Sequence, residues 1–226
     1  MVFPVIFSSC FEEIENILYT GTEMCTVIDG SNLVSDSGMR FHIAENQGGD
    51  IPEETKRIIV NCDVLSSDGK TPETYEIRII SFAPVTVCEP VLRSEADEDE
   101  LGYDGIGVDS AWLGGGCINA FALITFLEGS TTEHTVNMEF DDIRSNSDTL
   151  YFTLRHNAFG ESFDNAELNE YDLMTSGQYY SFPFEQFIPS GCDSAVIHLE
   201  NDWFVTSGSV LTRDRKTFTG NLLYKK

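Results

Sequence analysis

Four histidines and six cysteines are the residues in this chain that chemistry would recruit most readily. The histidines are His42, His134, His156 and His198; the cysteines are Cys10, Cys25, Cys62, Cys88, Cys117 and Cys192. No cysteine pair has C-x-x-C spacing, and no histidine lies at zinc-finger distance from a cysteine pair. Two histidines sit in strictly alternating stretches, His134-Thr-Val-Asn-Met-Glu-Phe140 and Thr149-Leu-Tyr-Phe-Thr-Leu-Arg-His-Asn157. That period belongs to a half-buried β-strand. Folded as an antiparallel hairpin over the polar loop Asp141–Asp148, the two strands oppose Phe140 to Leu150, Met138 to Phe152 and Val136 to Leu154. His134 then faces His156.

A histidine pair can begin a metal site, but two rings do not complete a zinc or copper shell. The neighbouring sequence guarantees no third ligand. Both rings fall on the apolar face, where each needs a hydrogen-bond partner. The expectation is therefore structural, with Arg155 on the opposite face paired to an acid on the adjacent strand and Asn157 capping the strand end. No metal and no cofactor is expected.

Other catalytic patterns are sparse. The chain contains neither Gly-x-Ser-x-Gly nor His-Glu-x-x-His. Gly114-Gly-Gly116 lacks the lysine of a phosphate loop and reads as a turn or bulge. Asp97-Glu-Asp-Glu100 lacks the spaced oxygens and turn glycine of a calcium loop. A non-enzyme is expected; the alternative is an extracytoplasmic hydrolase whose carboxylate pair sequence cannot locate.

The cysteines read differently from one another. Cys62 alternates in phase with Ile58, Val60 and Val64, as a buried thiol would. Cys192 lies in the turn Pro189-Ser-Gly-Cys-Asp193 and should be accessible. Cys10 ends the apolar run Met1-Val-Phe-Pro-Val-Ile-Phe-Ser-Ser and is followed by Phe11-Glu-Glu13. Small residues before such a cysteine suggest a lipid-attachment site. A basic leader segment does not precede it, and Phe7 stands where leucine is usual. The reading therefore requires a start upstream of Met1; otherwise the run is an edge strand or tail.

Thirteen Lys and Arg against 38 Asp and Glu give a formal net charge of −25. Such a surface repels phosphate backbones and anionic lipid, so nucleic acid is not expected as a partner. Membrane association should come through a lipid anchor alone. A monomer that meets some envelope or secreted protein is the expected state.

From Ile17 the chain reads as short strands separated by turns such as Asp36-Ser-Gly38 and Ser67-Asp-Gly-Lys70. The strand Arg57-Ile-Ile-Val-Asn-Cys-Asp-Val-Leu65 is the clearest. About five strands here suit a small barrel of the OB type. Arg93 to Gly107 is rich in acids and glycine and reads as an exposed linker. Cys117–Leu127 is apolar on both faces, as a covered central strand would be. Later strands around Tyr180, Ala195–Glu200 and Thr217–Tyr224 complete an Ig-like antiparallel β-sandwich. The expected fold is all-β: tether 1–16, OB-type barrel 17–92, acidic linker 93–108, sandwich 109–226.

Leu154-Arg-His-Asn157, Trp112 to Gly116, His134-Thr-Val-Asn137 and Tyr180-Ser-Phe182 resemble the NigD-like proteins. Gly21-Thr22, Asp36-Ser-Gly38 and Arg57-Ile-Ile-Val60 resemble the N-terminal barrel of the same family. The resemblance implies an OB-type domain followed by an Ig-like sandwich. It also implies a lipoprotein of the Bacteroidetes cell envelope, anchored through Cys10 on the periplasmic or outer-surface side of the outer membrane. One family member is associated with a bacteriocin operon, which implies an immunity-type role.

Overall fold

The computed structural model describes residues 17–163, 165, 172–207 and 210–226; the side chains of residues 205–207 and 210–213 are left aside. The expected tether, including Cys10, lies outside the described residues.

The first unit is a closed five-stranded barrel of the OB type. Its strands are β1 (Tyr19–Asp29), β2 (Asn32–Ser35), β3 (Arg40–Asn46), β4 (Arg57–Ser67) and β5 (Thr74–Pro84), in the order β1-β2-β3-β5-β4 with β4 returning to β1. Closure removes both sheet edges. Alternate residues point inward: Ile58, Val60, Cys62 and Val64 of β4 are fully buried beside Cys25, Phe41, Ile77 and Ile79. Burial pushes the thiol of Cys25 upward and that of Cys62 up to about 11, so both pack as small hydrophobes and resist ionisation.

The second unit is a two-sheet sandwich. It adds β6 (Thr86–Val87), β7 (Val91–Leu92), the single-turn helix α1 (Glu98–Leu101), β8 (Ile106–Gly114), β9 (Cys117–Leu127), β10 (Thr135–Phe140), β11 (Thr149–Asn157), β12 (Leu173–Pro183), β13 (Ser194–Ser207) and β14 (Val210–Lys225). One sheet runs β14-β13-β11-β10-β7 and the other β6-β12-β9-β8. Between them pack Ile118, Met138, Leu150, Phe152, Leu154, Phe182, Phe184 and Ile197. The main hairpins are antiparallel, whereas β6–β12, β7–β10 and β11–β13 are parallel pairs.

Two boundaries differ from expectation. The barrel ends at Pro84, and the chain enters the sandwich at once through β6 and β7, so residues 86–92 belong to the second unit. The segment expected to be an exposed linker is folded against β11. Leu101 and Ile106 are buried, and Arg93 Nη1 donates to Asp141 at 2.7 Å. Asp104 accepts from the Ala158 amide at 2.7 Å and the Ser162 hydroxyl at 2.6 Å. Acidic composition set only the outward face: Glu98, Asp99 and Glu100 are exposed while Leu101 beneath them packs inward. Gly102, at φ 72°, lets this backbone lie on Asn157; a Cβ there would meet Asn157 Cα at 2.6 Å.

The register of the histidine hairpin also differs. Phe140 pairs with Phe152, Met138 with Leu154 and Val136 with His156. The pairing is shifted by two residues, so every side chain keeps its expected face. A period of two distinguishes faces and cannot distinguish registers two apart. The shift is set by the loop, where the Asp141 amide donates to the Tyr151 carbonyl at 2.9 Å and Ser145 Oγ accepts from the Tyr151 amide at 2.9 Å.

Candidate functional site

Although Val136 rather than His134 stands opposite His156, the two rings meet diagonally. His134 Nδ1 lies 3.1 Å from His156 Nε2, and the ring centroids are 5.1 Å apart. His156 Nδ1 lies 3.1 Å from the Gly105 carbonyl, which can only accept. The proton of neutral His156 therefore sits on Nδ1. Its Nε2 accepts from His134 Nδ1–H. Burial pushes His156 down to about 4, with neighbouring His134 adding to the fall and the Gly105 contact opposing it. The ring is neutral near neutral pH.

His134 Nε2 faces Glu161 Oε2 across 3.8 Å, and both atoms are buried without a hydrogen-bond partner. The other oxygen of Glu161 accepts from Thr132 at 2.6 Å. The hydroxyls of Ser130 and Thr132 hold this carboxyl below the usual range. Arg155, on the opposite face, reaches Glu139 at 3.1 Å and lies over the Tyr103 ring at 4.8 Å. Asn157 Nδ2 donates to the Asp99 carbonyl at 2.9 Å, tying α1 to the end of β11. The motif Leu154-Arg-His-Asn157 thus pins the segment from Asp99 to Gly105. Among the described residues no group of three metal-ligating side chains converges.

A second cluster was not anticipated. Arg57, at the start of β4, is 2% exposed yet lies between barrel and sandwich. Nε donates to Ser181 Oγ at 2.9 Å, Nη1 to Thr26 Oγ1 at 2.8 Å, and Nη2 to Asp36 Oδ1 at 2.6 Å and Asn119 Oδ1 at 3.2 Å. Asp36 Oδ2 accepts from Trp112 Nε1 at 2.7 Å and from Asn119 Nδ2 at 3.0 Å. Ser181 closes the loop by donating to Asn119 Oδ1 at 2.6 Å. Thr26, Asp36 and Arg57 come from the barrel; Trp112, Asn119 and Ser181 come from β8, β9 and β12. Gly115, at φ 58°, allows the β8–β9 turn to lie over the guanidinium, since a Cβ there would stand 1.9 Å from Arg57 Nη1. A sequence signal existed: Asn119 and Ser181 interrupt apolar strands, and a polar group on a buried strand must find a partner.

The third feature is a cleft of about 560 Å³ on the side of the sandwich where β6 and β7 cross between sheets. Its apolar walls include Ile124, Phe126, Val136 and Tyr180; His134, Thr135 and Gln178 supply polar atoms. This cleft, with His134 in its lining, is the candidate binding site.

Residues 89–169 match the NigD-like C-terminal beta sandwich domain. Among curated proteins none matches the chain. Three solved structures share the fold over most of both chains. A NigD-like immunity protein from Bacteroides caccae is 20% identical with a TM-score of 0.63, covering 88% of this chain and 91% of its own. A candidate toxin-related protein from Parabacteroides distasonis is 15% identical with a TM-score of 0.64, covering 90% and 93%. A candidate lipoprotein from Bacteroides fragilis is 13% identical with a TM-score of 0.62, covering 92% and 99%.

Proposed function

From the premise that this is a NigD-like chain, with a C-terminal β-sandwich of that kind, we propose that it is a non-catalytic, lipid-anchored protein of the cell envelope that works by binding another protein. The observation that carries this reading is a fold held in common, over about nine-tenths of each chain, with an immunity protein and a candidate lipoprotein of Bacteroides. Two features of the chain support it. Ser8-Ser9-Cys10, followed closely by Glu12-Glu13, offers a thiol in the setting that lipid attachment uses. A formal charge of −25 suits a folded body held off an anionic membrane surface by a tether. No helix among the described residues is long and apolar enough to cross a membrane. Binding of the immunity kind is the form suggested by the name of the Bacteroides caccae relative.

The test is expression behind a secretion signal in a Bacteroides host, with labelled palmitate supplied. Label should enter the protein and the protein should sediment with membranes. Cys10→Ala should abolish both while leaving the melting temperature unchanged. Equal labelling of the Cys10→Ala protein would refute anchoring at this residue.

A further inference from the structure

The strand β12 runs beside β9 in eleven consecutive pairs with no shift of register, from Leu173↔Leu127 to Pro183↔Cys117. Its other edge is covered only at Tyr180 and Ser181, by the two-residue β6. Among the described residues nothing pairs with that edge from Leu173 to Tyr179. Exposed edges in native sheets are ordinarily defended by lysine, proline, inward charge or a bulge. The stretch Leu173-Met-Thr-Ser-Gly-Gln-Tyr179 has no charged residue, no proline and no bulge. An undefended, regular edge of seven residues is a template for another strand.

The facing sheet repeats the pattern. β10 is covered by β7 only at Glu139 and Phe140, which leaves Thr135–Met138 open on the same side. The cleft lies between these two edges, with Ser176 and Gln178 on one wall and Thr135 and Val136 on the other. It also holds unspent hydrogen-bonding capacity. The Thr135 hydroxyl is buried without a hydrogen-bond partner, and so is Nε2 of His134, whose side chain is 5% exposed and which lies 3.8 Å from Glu161. None of the residues lining the cleft is lysine or arginine, whereas Glu133 is exposed on its rim. Cationic side chains are what this lining lacks.

We propose that the cleft receives an extended, basic segment of a partner protein, which adds as a strand to the free edge of β12 between Leu173 and Tyr179. This rests on the binding role proposed above and names its surface and the chemistry of its partner. Main-chain hydrogen bonds would supply affinity, and the cleft would read alternate side chains. A second copy of this chain is disfavoured as occupant, because two bodies of charge −25 repel.

The probe is a lysine–valine alternating nonapeptide, titrated at physiological salt and followed by calorimetry. Two controls accompany it: the same peptide N-methylated at alternate amides, and a glutamate–valine counterpart. The parent peptide should bind saturably at one site. N-methylation should weaken it at least tenfold, and the glutamate peptide should show no saturation. Ser176→Trp fills the cleft from an exposed position and should weaken the parent at least tenfold with an unchanged melting temperature; Glu133→Lys should weaken it several-fold. Equal binding of the N-methylated peptide would reveal charge adsorption and overturn the proposal. So would full binding by a folded Ser176→Trp protein, or no binding of the parent at millimolar concentration. Sedimentation of the free protein as a concentration-dependent dimer that Ser176→Trp abolishes would assign the edge to a second copy and also sink the proposal. Any of these results alongside Cys10-dependent lipid labelling would remove the cleft and leave the anchored role standing.

Discussion

The joint around Arg57 and the end of the β10–β11 hairpin are both buried polar clusters, and they are finished to different degrees. At the joint, four Arg57 bonds, both oxygens of Asp36 and both ends of the Asn119 amide are matched. Along β10 and its neighbour Glu161, four buried atoms go without: His134 Nε2, Thr135 Oγ1, Glu139 Oε1 and Glu161 Oε2. A fully matched network specifies one arrangement of its parts, whereas an unmatched buried group costs free energy that only a further partner recovers. The first cluster is built to be permanent. The second keeps capacity in reserve.

The sharpest way to break the comparison is at the joint. Arg57→Ala leaves Asp36, Ser181 and Asn119 facing a hole, and loss of one member of a buried ion pair costs about 3–5 kcal/mol. Urea unfolding should register a drop of that size. Arg57→Met with Asp36→Asn should recover much of it; a single mutant losing less than about 1 kcal/mol would deny the joint its role.

The hairpin end should respond to pH instead. His156 titrates near 4 in the fold against 6.5 when free. Protons therefore bind the unfolded chain first. Its contribution is complete above pH 6.5, falls away between 6.5 and 4, and is gone below, a loss of about 3 kcal/mol. Denaturant titrations across this window should show the slope, and His156→Gln should flatten it. The Asp141 carboxyl, which amide and arginine contacts hold below the usual range, acts lower on the scale.

Gly115→Ala tests the joint by crowding rather than deletion. Its left-handed backbone and the 1.9 Å approach to Arg57 together predict a loss of about 2–3 kcal/mol. Pairing it with Arg57→Ala should relieve part of that loss, because the clashing group is gone. The smallest effect belongs to Thr135→Val. Its hydroxyl has no partner to lose, so stability should stay level or rise by up to about 1 kcal/mol, checked by thermal melts. A drop beyond 1 kcal/mol would mean that the hydroxyl is already satisfied.

The two clusters were unequally legible in the sequence. Alternation gave β11 its faces, and Leu150, Phe152, Leu154 and His156 are buried as the pattern requires. It could not give the register, because a slip of two residues conserves each face. Barrel and sandwich are readable from turn spacing, yet the charged segment before β8 is packed rather than the exposed linker that its composition suggests. Its composition reported the side chains that face water and concealed Leu101, Ile106 and the pairings of Asp104. The joint was harder still. Asp36, Arg57, Asn119 and Ser181 are separated by up to 145 positions in the chain, and only the tertiary fold brings them within bonding distance. Asn119 and Ser181 stood out only as polar interruptions of apolar strands, and Asp36, Arg57 and Ser181 fell within stretches that carry the family resemblance.

The short path from Pro84 to Leu92 has a consequence for how the molecule comes apart. In eight residues the chain leaves a closed barrel, stitches onto β12 and then onto β10, so one thread fastens three sheets. A seam of this kind is shared property: peeling either unit pulls on the backbone of the other. Domains joined by a slack connector melt in separate steps, but these two should melt as a single cooperative body. The tryptophans provide the gauge, because Trp203 reports from the sandwich and Trp112 from the joint with the barrel. Their fluorescence and amide exchange in β4 of the barrel should lose the native signal together, and a barrel that stays protected after the tryptophans have changed would mean that the seam is loose.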